Sequence, residues 1–171
     1  VTLSQDLEHV LALAGMDAGD VGALIADGDG RSRAYLAALA AAPAAREGEL
    51  VTIIQRDPDR VMAEATLVRH VDNQAAARSG DSFAAWAATF ADLVGQQGFL
   101  ARRVGEWRLF KRVMDGDEVD PAALGSASNW LQRKIVEEAT SGPALTAMGE
   151  VGRTKRLRNL ARTRAGRVGR A

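Results

Sequence analysis

The sequence predicts an all-α fold, a right-handed α-solenoid of about five helical hairpins. Three observations lead there. Apolar residues recur at helical spacing almost throughout, and no segment sustains the alternation of β-branched and polar residues that a half-buried strand requires. Two helix pairs share one layout: "LIADGDGRSRAYLAAL" and "TIIQRDPDRVMAEATL" each read apolar helix, Asp-x-Asp corner, amphipathic helix. Their corner aspartates, Asp27 and Asp57, lie 30 residues apart, and two further steps of 30 reach Asp117 in "RVMDGDEVDPAAL". A helix pair of that length has too little surface to bury alone, so such a period implies neighbours stacked on one continuous core.

The elements follow in order. Ser4 is placed to cap a helix carrying Leu7, Val10, Leu11 and Leu13, which ends near Gly15. Asp20 opens Val21 to Ala26, and Gly28 with Gly30 breaks it. Arg31 to Ala42 places Leu36, Leu39 and Ala40 on one face and stops at Pro43. Glu47 to Gln55 and Pro58 to Val71 flank the "RDPD" corner, with Asp57 as cap and Pro58 in the first turn. A less regular helix spans Ser82 to Gly95. Near the end, "WLQRKIVEEA" and "KRLRNLARTR" read as one structural unit written twice, with Arg133 and Arg158 25 residues apart. Between them "SGPALTAM" supplies a turn and a short helix with Leu145 and Met148 facing inward. Residues 1–171 are expected to form a single solenoid domain, with 153–171 a basic C-terminal helix or a partly disordered tail.

A chain of 171 residues, 47% hydrophobic and 26% charged, suits a soluble globular protein. The longest apolar runs, such as Ala34 to Ala45, fall well short of the roughly 20 residues a membrane span needs. "VTLSQDLEHV" carries acids where a signal peptide carries basic residues, so a cytoplasmic location is expected. The bias to Ala, Gly and Arg points to a bacterial source of high GC content. Cysteine is absent, which excludes disulfides, thiolate nucleophiles and cysteine-ligated metal. His9 and His70 lie far apart, fit no metal-ligand spacing and read as surface or boundary residues. "DGDEVD", Asp115 to Asp120, has Asp120 where a calcium loop needs glycine and Ser126 where it needs glutamate, so it reads as a helix-capping acidic loop. No phosphate-cradling glycine loop and no Ser-His-Asp set is visible, so no catalytic residue, metal or cofactor is assigned.

The corners carry a resemblance. Asp57-Pro58-Asp59 followed by Val61 and Ala65, and Leu157-Arg158-Asn159-Leu160-Ala161 near the end, are similar to the units of bacterial α-solenoids of the HEAT-repeat and variant leucine-rich-repeat type. Asp27-Gly28-Asp29 with Arg33 is a weaker copy; Met62 stands where the pattern has arginine, and Gln74 to Phe90 matches no unit. Stacked helix pairs make an extended concave surface and no recognisable catalytic set is present, so a non-enzymatic protein-interaction module is expected by elimination. Second-helix residues Arg33, Arg69, Arg108, Arg133 and Arg158 would then meet the partner, with Trp107 and Trp130 as anchors. Some HEAT-like proteins are DNA glycosylases for alkylated bases, and "SASNWLQRK" is similar to segments of that group. On that reading Trp86, Trp107 and Trp130 would line the surface and Asp92 would be the acid.

The net charge of zero is a cancellation. Eight Lys/Arg and no acid follow Gly152, leaving 14 basic against 22 acidic residues before it, a net of −8. This basic end supports a second expectation, nucleic-acid binding through Arg153, Lys155, Arg156, Arg158, Arg162 and Arg164. Leu157, Leu160, Ala161, Arg164 and Val168 fall on one side of such a helix, so it can dock by that side and still display arginines. No bulky aromatic residue accompanies it, so membrane binding is not expected.

Overall fold

Helices begin where a side chain accepts from a free first-turn N–H or a proline removes one, and several starts among the described residues follow that rule. The computed structural model describes residues 2–16, 21–95 and 98–169. Among them are eleven α-helices and no strand: α1 Leu3–Leu13, α2 Val21–Ala26, α3 Gly28–Ala41, α4 Glu47–Gln55, α5 Arg60–Ala77, α6 Gly80–Val94, α7 Gly98–Asp115, α8 Pro121–Ser126, α9 Asn129–Glu138, α10 Gly142–Val151 and α11 Lys155–Val168. No helix among the described residues is long and apolar enough to cross a membrane.

Several starts differ from the sequence reading. Thr2, not Ser4, caps α1: its hydroxyl accepts from the Gln5 N–H and the Gln5 side chain accepts from the Thr2 N–H, while Ser4 bonds Glu8. Asp20, expected to open α2, lies outside the described residues. Gly28 and Gly30 do not break the chain but form the first turn of α3; the break is at Asp27, in extended conformation. Gly30 is there for close approach, since a Cβ on it would lie 2.6 Å from the Asp27 carboxylate and 3.2 Å from Leu24. The buried face of α3 carries Ala34, Tyr35, Ala38 and Leu39, so Leu39 faces inward as expected while Leu36 is half-buried and Ala40 exposed. Asp57 does not cap α5, which begins at Arg60 and extends to Ala77; Asp59 accepts from the Met62 N–H instead. The basic segment is helical from Lys155 to Val168, capped by Thr154.

The helices gather into two compact units, Val1–Ala77 with Ala88–Ala101, and Arg78–Ala87 with Arg102–Ala171. In the first, α3 packs on α1, α2, α4 and α5 around the fully buried Leu7, Tyr35, Leu50 and Ile54. In the second, α8 packs on α10 and α9 on α11, while α10 also packs along α9 and α11. Leu124, Leu131, Ile135, Leu145 and Met148 are fully buried there, each burial contributing about 1.5–3 kcal/mol. Leu145 and Met148 face inward as their spacing predicted.

Each unit contains the same polar tie. Arg31 lies four residues after the α3 N-cap Asp27; its Nη1 donates to the carbonyls of Leu24 (3.2 Å) and Ile25 (2.6 Å) at the end of α2. Gln132 lies four residues after the α9 N-cap Ser128; its Nε2 donates to the carbonyls of Leu124 (2.8 Å) and Gly125 (3.1 Å) in α8. Both also reach the corner of the following hairpin. Arg31 Nε donates to Asp57 Oδ2 at 3.0 Å, and Gln132 Oε1 accepts from the Arg153 N–H at 2.9 Å. A short helix has few carbonyls satisfied internally, and these side chains supply the missing donors.

Candidate functional site

The basic end resolves into two kinds of arginine. Arg158 Nη1 donates to the Gly152 carbonyl at 2.6 Å, and Arg164 Nη1 donates to the Val136 carbonyl at 2.5 Å. Both side chains are half-buried and hold α11 against the ends of α10 and α9. In both arginines, which the sequence placed at a ligand surface, Nη1 is engaged by the fold. Arg153, Lys155, Arg156 and Arg162 are exposed, and no ion-pair partner faces them among the described residues.

Neighbouring helices extend this set. Arg133 on α9 and Arg156 on α11 line one groove of about 320 Å³, together with Leu157, Leu160 and Glu137. Arg102 on α7 and Arg153 line a second, of about 510 Å³, beside Ser128 and Glu106. Glu106 is engaged, its carboxylate accepting from the Ser128 N–H at 2.9 Å. The stem of Arg162 lies across Gly149, where an added Cβ would come within 2.9 Å of its Cγ, and the residue remains exposed. Arg102 escaped the sequence reading because "ARRVGEW" has no repeat signature; only the packing of α7 brings it beside Arg153.

The start of α11 is electrostatically inverted. A helix N-terminus is positive and favours acids, yet α11 has no acid in its first turn and opens with Lys155 and Arg156. That placement costs about 0.3–1 kcal/mol per charge at low ionic strength. Thr154, accepting from the Leu157 N–H at 3.1 Å, offsets part of it.

The tryptophans of this unit are engaged internally. Trp107 is 7% exposed and stands edge-on to Phe110 and to Trp130, with centroids 5.5 and 5.4 Å away. Lys134 Nζ lies 4.9 Å from the Trp107 ring and is also ion-paired with Glu138. Trp107 as a surface anchor is thereby corrected to a core residue. Trp130 is half-buried, with Arg103 Cζ 3.3 Å from its ring centroid, a cation–π contact of about 0.5–2 kcal/mol. Trp86 is half-buried, beside Phe83 and with Arg78 at 5.5 Å. Arg108 is exposed.

In the first unit Arg33, Arg69 and Asp92 are exposed, and Arg33 lies 3.5 Å from Asp27. A groove of about 440 Å³ there is lined by Asp6, His9, Glu49 and Arg56, whose polar groups are already paired: His9 Nε2 with Glu49 at 2.5 Å, Arg56 with Asp6 at 2.6 Å. The hydrogen bond from His9, with help from Arg46, holds the Glu49 carboxyl below its ordinary range. His70, read from sequence as a surface or boundary residue, is buried, because Glu47 supplies its partner at 2.6 Å. The first unit thus pairs the polar groups of this groove, whereas Arg102, Arg133, Arg153 and Arg156 in the second have no acid within ion-pair distance among the described residues. Comparison with protein families, curated proteins and solved structures finds no match for this chain.

Proposed function

We propose that this protein is a binding module of the HEAT-like α-solenoid type, and that its second unit holds nucleic acid by the phosphate backbone. The observation that carries the reading is the set of unmatched cations, Arg102, Arg133, Arg153, Lys155, Arg156 and Arg162, on and beside α9 and α11. The stacking of α8 on α10 and of α9 on α11 supports the solenoid part. Phosphate contacts made by Arg and Lys supply affinity without sequence readout, and each weakens with salt as counterions return. A protein partner on a concave face, expected by elimination, has less behind it: Trp107 is buried and Trp130 is covered by Arg103.

The test is fluorescence anisotropy of a short labelled duplex at about 50 and 200 mM salt. Binding should fall steeply with salt, with a log–log slope of about −0.9 for each phosphate engaged. Arg133→Glu with Arg156→Glu should weaken it by at least about tenfold, whereas Arg33→Glu with Arg69→Glu should leave it within about twofold. Absence of binding at the lower salt, or equal losses in both variants, would defeat the proposal and return attention to protein partners.

A further inference from the structure

We infer that the ligand of this surface is double-stranded nucleic acid, and that single strands are poor ligands. The inference rests on the phosphate-binding reading and adds the strand state. Single-strand binders combine a basic groove with open aromatic faces, each stacked base contributing about 1–3 kcal/mol. The second unit contains five aromatic side chains, Phe83, Trp86, Trp107, Phe110 and Trp130, and none of these five is exposed. Phe83, Trp107 and Phe110 are buried. On Trp130, the only one beside the α9 N-terminus, the Arg103 guanidinium sits 3.3 Å from the ring centroid where a base would stack, and Trp107 packs against it. Trp86 has Phe83 and Arg78 against its ring.

The cations also suit a rigid ligand. Arg102, Arg133, Lys155, Arg156 and Arg162 project from helices, and Arg153 sits in a corner whose N–H is fixed by the fully buried Gln132. Their Cα positions are therefore preset. A duplex presents phosphates at fixed spacing and gains from a preset array, whereas a flexible strand must be ordered to match it and, without stacking, recovers less of that entropy. Leu157 and Leu160, which line the same groove as Arg133 and Arg156, offer apolar contact but no π surface.

The closing experiment uses the full chain with a labelled duplex and each of its separated strands at one salt concentration, and follows intrinsic tryptophan fluorescence in parallel. The duplex should bind at least about tenfold more tightly than either strand, with tryptophan emission unchanged, because no base stacks on the rings. Equal or tighter single-strand binding, or quenching by single strands, would overturn the strand assignment while leaving the phosphate reading in place. Binding of neither form would defeat the phosphate reading itself.

Discussion

Arg31 and Asp57 form a buried ion pair inside the first unit, with Nε 3.0 Å from Oδ2 and side chains 7% and 0% exposed. Asp57 Oδ2 also accepts from the Tyr35 hydroxyl at 2.8 Å, and Oδ1 accepts from the Asp59 N–H at 2.8 Å. Every polar atom of the acid thus has a donor, and the pair links α2, α3 and the corner before α5. Asp57→Ala should lower stability by about 3–5 kcal/mol, because it leaves the Arg31 charge buried without a partner. Asp27→Ala should cost less than about 1 kcal/mol, since Asp27 is exposed and makes no side-chain capping bond. Urea denaturation of the two variants measures the difference.

Tyr35 is the single tyrosine of the chain, so phenolate absorbance reports it alone. Burial first, then its hydrogen bond to the Asp57 carboxylate, pushes its pKa well above the ordinary value of about 10. A raised folded-state pKa contributes stability that is complete below the unfolded value and is lost as pH rises beyond it. In the folded protein, phenolate should therefore not appear near pH 10 but only with alkaline unfolding. In Asp57→Asn, provided it is folded, ionisation should move to lower pH.

Gln132 is fully buried and makes three hydrogen bonds, to Leu124, Gly125 and the Arg153 N–H. Gln132→Leu keeps the volume but strands these backbone groups, at a cost on the order of 1–3 kcal/mol. Hydrogen exchange should show the loss at the Arg153 amide before it reaches the middle of α10.

Glu49 has a lowered carboxyl pKa from its hydrogen bond with His9. Its contribution to stability is present above the unfolded pKa of about 4.3 and is lost as pH falls through the lower folded value. Carboxyl NMR should place its midpoint below the usual glutamate range in the native protein, and His9→Ala should move it upward.

Lys155 and Arg156 sit where the α11 dipole disfavours cations. Replacing both by glutamate should raise thermal stability, by about 0.3–1 kcal/mol per site, and weaken duplex binding in the same variant. A variant that gained stability without losing affinity would remove these two residues from the binding surface.

Helical periodicity made the all-helical character legible, because 3.6-residue spacing is a local property that needs no knowledge of neighbours. The bounds of α4 were read correctly from "EGELVTIIQ", and the inward turn of Leu145 and Met148 from their spacing. The corner aspartates mark where sequence reading ends. Asp27, Asp57 and Asp117 stand at one period, yet Asp57 is buried beneath Arg31 and Tyr35 while Asp27 and Asp117 face solvent. The sequence by itself determined which stretches coil and that the basic charge collects at one end. Tertiary structure decided which arginines of that end are spent on carbonyls, Arg158 and Arg164, and which remain in solvent. It also decided that Arg102 and Arg133 join them, and that Arg103 covers Trp130. Burial and pairing depend on groups brought together from distant positions, and the spacing of residues along one helix carries no record of them.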